Sequence, residues 1–328
     1  MTDIDIANMP KVEMHLHVEG AIREKTYIEL RRKEEPDFEI SEMPWHNPDY
    51  RFNSLDHFLT TASPCVTKRP EVYYRIAGEL FEDLAEQNVV YTEMTIATTR
   101  MPVEEVAHAI QEAWLDSKKE AKIEYVILVG LFRSDPPEVA IDLVRQSIEA
   151  RRYAVAGVDL LEHETSRNAA AFTGAYELAR EAGLGLRAHA GEGSGSESVW
   201  DVIKQLNVSR IAHGTRSVED QELVEYLSQN EIVLDMCPTS NYRLQVVDAI
   251  EAHPIRKLFD AGVPVTVSSD DPLFLHSDVT SELELLSDGF LFTSEELLQL
   301  QRNALVSAFI SQDNKEHLMS RIDAAGLS

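Results

Sequence analysis

Four histidines and three carboxylates stand at the ends of otherwise apolar stretches. His15 and His17 lie in KVEMHLHVEG, His189 and Glu192 in RAHAGEG, His213 in IAHG, and Asp270 and Asp271 in VSSDDP. In a strand, positions i and i+2 project to one side, so His15 and His17 face the same way, as a chelating pair needs. Three histidines with one carboxylate form a mixed nitrogen and oxygen donor set. It suits zinc, admits other divalent metals and leaves a position for water. Water on such an ion loses a proton near neutral pH and becomes a nucleophile. Asp270 and Asp271 can divide the work, one ligating the metal and the other orienting the water. The plainer role for this pair is a helix N-cap before Pro272. Glu192 follows His189 by three residues, in a turn with Gly191, Gly193 and Gly195 that lets a flat ligand approach the backbone. Its carboxylic acid can protonate a substrate nitrogen; its plainer role is a first-turn glutamate favoured by the helix dipole.

These residues need elements that bring them together. Short β-branched runs at 12–18, 89–96, 125–132, 155–162, 184–190, 210–214, 232–238 and 263–269 predict eight strands. Helical spacing fills the intervals, with Gly183 and Gly262 placed as C-caps. Eight strands alternating with helices, and no glycine-rich dinucleotide fingerprint after the first, predict a (β/α)8 TIM barrel rather than an open doubly wound sheet. The chemically active residues then all fall at C-terminal strand ends, which converge on one mouth. Residues 21–88 form a helical insertion after strand one, with helical patterns near 22–33, 54–62 and 70–87, and are expected to cap that mouth. Residues 294–325 read as closing helices. With no internal repeat and no linker, residues 1–328 read as a single domain.

The 328 residues carry 30 basic and 57 acidic side chains, a formal net charge of −27. A field of that sign repels phosphate backbones, which argues against nucleic-acid binding and against docking on anionic membranes. No apolar run approaches the roughly 20 residues of a membrane helix. Two cysteines, Cys65 and Cys237, form no CxxC pair, and the N-terminus lacks a basic-then-apolar segment. Both features predict a cytoplasmic protein. His57, His108, His253 and His317 occupy less distinctive contexts and read as structural. No interaction motif argues for an oligomer.

The segments MPKVEMHLHVEGA, HAGE, HGT, CPTSN and SDDP, in this order from residue 9 to about 285, resemble the adenosine deaminase family, barrels of the metal-dependent hydrolase type. The resemblance implies one zinc ion per subunit on His15, His17, His189 and Asp270. It implies Glu192 as the acid that protonates purine N1, and His213 and Asp271 as the residues that position and activate the attacking hydroxide. For substrate binding it implies Asp271 and His17 beside the base, the backbone of Gly157 at ring N3, and Leu55, Phe58 and Leu59 of the insertion as a cover. The implied reaction turns a 6-aminopurine, adenosine or deoxyadenosine by default, into the 6-oxopurine plus ammonia. One position departs from the well-known adenosine deaminases, which have aspartate after the HxH motif where this chain has Glu19. Glutamate there is similar to adenine deaminases and to enzymes acting on larger or N6-substituted adenine derivatives. Three other readings fare worse. A binuclear amidohydrolase bridged by a carboxylated lysine lacks that lysine in VAGVDLLEH, and a cytidine-deaminase site lacks its HxE and PCxxC ligands. A non-catalytic purine-binding barrel would be expected to have lost a ligand or the acid, yet each position is filled.

Overall fold

The structure is a computed structural model that describes residues 4–62, 69–98, 101–117 and 123–326; Cys65 falls outside them. Eight parallel strands occur in chain order: β1 (Lys11–His17), β2 (Val89–Ile96), β3 (Glu124–Phe132), β4 (Val155–Leu161), β5 (Gly185–Ala190), β6 (Arg210–His213), β7 (Val233–Met236) and β8 (Val265–Val267). Each pairs with the next, giving the order β1 to β8 of a (β/α)8 barrel. The strands are buried along nearly their whole length, as runs covered on both faces must be.

The barrel closes by an irregular seam. Leu16 bridges Asp270, the Asp270 amide donates to His15 O at 2.9 Å, and the His17 amide donates to Asp270 O at 2.9 Å. Ser268 Oγ accepts the amides of Met14 and His15 at 3.2 and 3.1 Å. β7 and β8 are shorter than the sequence suggests because their tails leave the ladder. Cys237 becomes the N-cap of a helix, and residues after Val267 turn into the seam.

Helices α1 (Glu24–Glu34), α2 (Leu55–Ala62) and α3 (Pro70–Glu86) lie between β1 and β2. α4 (Val103–Asp116), α5 (Pro137–Glu149), α6 (Thr173–Glu181), α7 (Ser196–Asp201) and α8 (Gln221–Gln229) follow the next five strands. α9 (Pro238–Arg243) and α10 (Ile255–Asp260) follow β7. After β8 come α11 (Pro272–Leu275), α12 (Val279–Phe290), α13 (Ser294–Ser307) and α14 (Gln312–Ala325). Gly183 and Gly262 take left-handed φ angles of 71° and 78° just past α6 and α10, the conformation that ends a helix most readily at glycine. The closing helices dock on the seam strands: Gln301 Oε1 accepts the Val12 amide at 2.8 Å, and Asn303 Nδ2 donates to Val265 O at 2.9 Å.

Barrels of this kind fill their interior with aliphatic layers; this one carries an ionic layer. Arg187 reaches Asp159 at 2.7 Å and Asp235 at 3.5 Å, and Arg210 reaches Asp235 and Glu93 at 2.8 Å each, all fully buried. Charges in such surroundings persist only when paired and hydrogen-bonded. Here each one is. Among the described residues no helix is long and apolar enough to cross a membrane.

Candidate active site and metal centre

Period-two alternation along β1 sends both histidine rings into the barrel mouth, where His15 Nε2 and His17 Nε2 lie 3.2 Å apart. Asp270 Oδ1 is 3.4 Å from the first and 3.3 Å from the second. A tetrahedral ion with bonds of about 2.0–2.1 Å separates its ligand atoms by about 3.3 Å. The donor triangle therefore has the edge length of a zinc site. His189 joins from β5, with its ligating nitrogen within 4.8 Å of those of His15 and His17. Two of the rings are turned by what stands behind them. His189 Nδ1 meets Asp159 Oδ1 at 3.1 Å, and His15 Nδ1 meets Asp235 O at 3.5 Å. Asp159 accepts, so His189 Nδ1 holds the proton and its Nε2 presents a lone pair, whereas His15 Nδ1 lies as close to the Cys237 thiol, 3.5 Å, as to Asp235 O.

Strand alternation continued past β8 would send Asp270 and Asp271 to opposite sides, but Asp270 has φ of 66°. This left-handed turn lets both carboxylates face His17, their ligating atoms within 4.8 Å of its own. Ser240 Oγ donates to Asp270 Oδ2 at 2.6 Å. Asp271 holds the N-cap position of α11 without a side-chain capping bond, so its carboxylate is left to the cavity. Gly20 makes room for it: a Cβ there would stand 1.8 Å from Asp271 Oδ1. Glu192 lies outside the first turn of α7, which begins at Ser196. Its loop is pinned by Glu164, which accepts the amides of Glu192 and Gly193 at 3.0 and 3.2 Å. Its Oε1 is 3.5 Å from His213 Nε2.

Electrostatics follow from packing carboxylates together out of water. Burial, then Asp270, Glu164 and Asp271, push the Glu192 carboxyl well above its usual range. Burial also raises Asp271 strongly, with Asp270 adding to it against His17. Asp270 is the exception. Burial would raise it, but His15, His17 and His213 hold it well below the usual carboxylate range. Burial pushes His213 down to about 3. No lysine or arginine lines the described cavity wall; burial would lower His17, but Asp271 and Asp270 raise it to about 9, and the donor set is one that could hold a metal ion.

The cavity above it measures about 390 Å3, within the range of small-molecule sites. Leu55, Phe58, Leu59 and Ala62 of α2 line one wall, with Leu244 and Phe274 nearby. Six carboxylates line it: Glu19, Asp135, Glu162, Glu192, Asp270 and Asp271. Glu19 Oε1 accepts from Tyr73 Oη at 2.6 Å and from the Ala97 amide at 2.9 Å, and burial raises its pKa.

The structure brings His15, His17, His189, His213, Glu192, Asp270, Asp271, Glu19, Leu55, Phe58 and Leu59 to one mouth. Gly157 it does not, and this expectation is corrected. Gly157 is the third residue of β4, paired with Leu128 and Gly185, deep in the barrel. β4 reaches the cavity with Leu161 and Glu162, and Glu162 has the φ of 76° that a glycine would adopt freely. Sequence reasoning also missed Asp159, Ser240 and Asn241. The last two lie inside the CPTSN segment, and Asp159 is a lone carboxylate within a buried strand.

Fold and cluster together define an amidohydrolase-type barrel. The adenosine deaminase family profile matches residues 10–325. An adenine deaminase of Sinorhizobium medicae is 30% identical over 323 residues, covering 96% of this chain and 99% of its own. The crystal structure of an adenine deaminase from Arthrobacter aurescens superposes with TM-score 0.89 at 26% identity, covering 98% of this chain and 100% of that one. An amidohydrolase from Burkholderia ambifaria, solved with bound Zn, gives TM-score 0.85 at 26% identity, covering 98% and 94%. The chain belongs to the adenosine deaminase family.

Proposed function

We propose that the chain is a mononuclear zinc enzyme that hydrolyses the 6-amino group of a neutral aminopurine. The observation that carries this is the convergence of a tetrahedral-sized donor triangle with a buried acid, Glu192, and a second carboxylate, Asp271, at one cavity. His15, His17, His189 and Asp270 would hold the ion. The ion, when bound, supplies Lewis acidity that makes a water molecule nucleophilic near neutral pH.

The protein's own residues do the rest. Glu192 delivers its proton to N1 as the water oxygen bonds to C6, so the ring never carries a full negative charge. His213 and Asp271 orient that oxygen, and Asp271 accepts its proton. Asp271 passes the proton it took to N6 as the C6–N6 bond breaks, the remaining hydroxyl proton goes to the Glu192 carboxylate, and ammonia leaves the 6-oxopurine. Each of these contacts strengthens as charge develops, the condition for raising turnover rather than binding alone. Leu55, Phe58 and Leu59 cover the ring and exclude bulk water.

Adenosine and deoxyadenosine are the family's default substrates. Adenine is a second reading, supported by the name of the full-length Sinorhizobium relative and by Glu19, whose carboxylate is tied to Tyr73 and Ala97. Purified zinc-loaded protein should be given adenosine, deoxyadenosine, adenine, methylthioadenosine and N6-substituted adenines while ultraviolet change and ammonia are followed. Turnover of at least one is expected. Failure with all of them at full zinc occupancy would refute the proposal.

A further inference from the structure

Behind His213, on the side away from the cavity, buried polar side chains form a chain whose proton directions can be read without choice. A backbone amide always donates. The Ile255 amide donates to His253 Nδ1 at 3.3 Å, so that nitrogen carries a lone pair. His253 is buried and its pKa is pushed down to about 3 by that burial, so its single proton sits on Nε2. His253 Nε2 lies 3.0 Å from Asn241 Oδ1, and the Thr215 hydroxyl donates to the same atom at 2.6 Å. Two donors aimed at one atom fix it as the amide oxygen. The other end, Asn241 Nδ2, therefore donates to His213 Nδ1 at 3.2 Å. His213 is left with its proton on Nε2, 3.5 Å from Glu192 Oε1 and 4.0 Å from Asp270 Oδ2.

His189 is backed by an acceptor, Asp159, and offers a lone pair to the cavity; His213 is backed by a donor and offers a proton. We infer that Asn241, fixed by His253 and Thr215, is a positioning residue that locks His213 in the Nε2–H tautomer. The lock makes His213 a hydrogen-bond donor to the attacking oxygen, leaves proton acceptance to Asp271, and keeps a fourth imidazole lone pair away from the ion. The tautomer assignment stands on the hydrogen-bond geometry together with the burial of His253; only its effect on rate rests on the deaminase reading above. It also gives work to Thr215, Asn241 and His253, the first two from the HGT and CPTSN segments.

The test uses the full-length protein labelled with 15N histidine, in which two-bond nitrogen–proton correlations report the tautomer of each ring. Unmodified protein should show Nε2–H at both His213 and His253; Nδ1–H at His213 would overturn the inference. His253→Glu presents an acceptor to Asn241. The amide should then turn over, move the His213 proton to Nδ1, and lower kcat roughly 10- to 100-fold with KM and bound zinc unchanged. His253→Gln keeps a donor at that place and should restore the Nε2–H tautomer with kcat within about threefold of the parent. A His253→Glu protein with an unchanged His213 tautomer and unchanged kcat would overturn the proposal. Loss of zinc alongside kcat would mean that the chain serves structure only, and would overturn it too. Unmodified protein with the expected tautomers and no turnover of any purine would instead refute the deaminase reading while supporting this one.

Discussion

Replacing Asp159 by asparagine separates two jobs held by one carboxylate. Oδ1 accepts the His189 Nδ1 proton at 3.1 Å, while Oδ2 accepts Arg187 Nε and Nη2 at 3.0 and 2.7 Å. Burial would raise its pKa, yet Arg187 and His189 hold it well below the usual range. Asparagine keeps the shape, removes the charge and turns one end into a donor. If that donor faces His189, the ring proton is driven to Nε2, the atom offered to the metal. Removing such a supporting carboxylate lowers metal affinity about 10- to 100-fold, or about 1.4–2.7 kcal/mol. Breaking a buried ion pair costs about 3–5 kcal/mol. Arg187 keeps Asp235 at 3.5 Å and Met14 O, which places the loss near the lower end, about 3 kcal/mol. Zinc competition against a chromophoric chelator reads the first effect, and urea unfolding of metal-free protein reads the second. Stability that falls while zinc affinity stays within twofold would refute the claim that Asp159 orients His189, leaving it only as the brace of Arg187.

Glu192→Gln should keep its zinc and lose about 10^2- to 10^4-fold in kcat, the usual worth of a positioned acid; a variant of normal speed would mean that another group protonates N1. Adenosine 5′-monophosphate should be a poorer substrate than adenosine by roughly tenfold or more in kcat/KM, narrowing as salt is added, because Asp135 and Glu162 stand in the cavity wall of a chain with a formal net charge of −27. Equal rates at low salt would contradict that. Burial raises Glu282 to about 8, so its folded pKa lies above its unfolded one. Stability from this group is full below about pH 4.5 and falls, by an amount on the order of 4 kcal/mol, as pH rises toward 8. Glu282→Gln, which can still accept the Thr239 amide, should flatten urea stability across that window; identical pH slopes for parent and variant would remove Glu282 as the cause. Some slope remains in the variant, because burial also raises Glu13 to about 7.

The barrel and most of its mouth were legible because a histidine or aspartate at the end of an apolar run has no packing reason to be there. His15 and His17 needed only period two. Gly157 was misplaced because a resemblance carried through VAGVDLLEH does not say which residue stands at the rim. Gly157 precedes Leu161 by four positions, roughly 13 Å down the strand, and the rim position belongs to Glu162. The ionic layer was hidden for another reason. Arg187, Arg210, Asp159 and Asp235 lie in four different strands and look like four isolated anomalies until the strands are set side by side. Asn241 was quoted only as part of a motif, since its meaning depends on His253, twelve residues away and seen from sequence as an ordinary histidine.

The seam explains why the cluster sits where it does. Asp270 carries φ of 66°, and His213 one of 62°, conformations that non-glycine residues hold only when surroundings enforce them, at about 1–3 kcal/mol each. For Asp270 the enforcement is visible. Its amide and carbonyl both bond to β1, on either side of Leu16, so the peptide that closes the barrel also aims the carboxylate at His15 and His17. A ladder of ordinary β pairs at this point would send Asp270 and Asp271 to opposite faces. Closure and donor geometry are thus one structural event, in which the backbone bonds of the seam hold the strained turn and the turn assembles the triangle. Occupation of the triangle by a cation would in turn tie β1 to the segment after β8 at a junction made by an isolated bridge. By linkage, any ion that binds this arrangement more tightly than the open one stabilises the closed barrel by the same free energy.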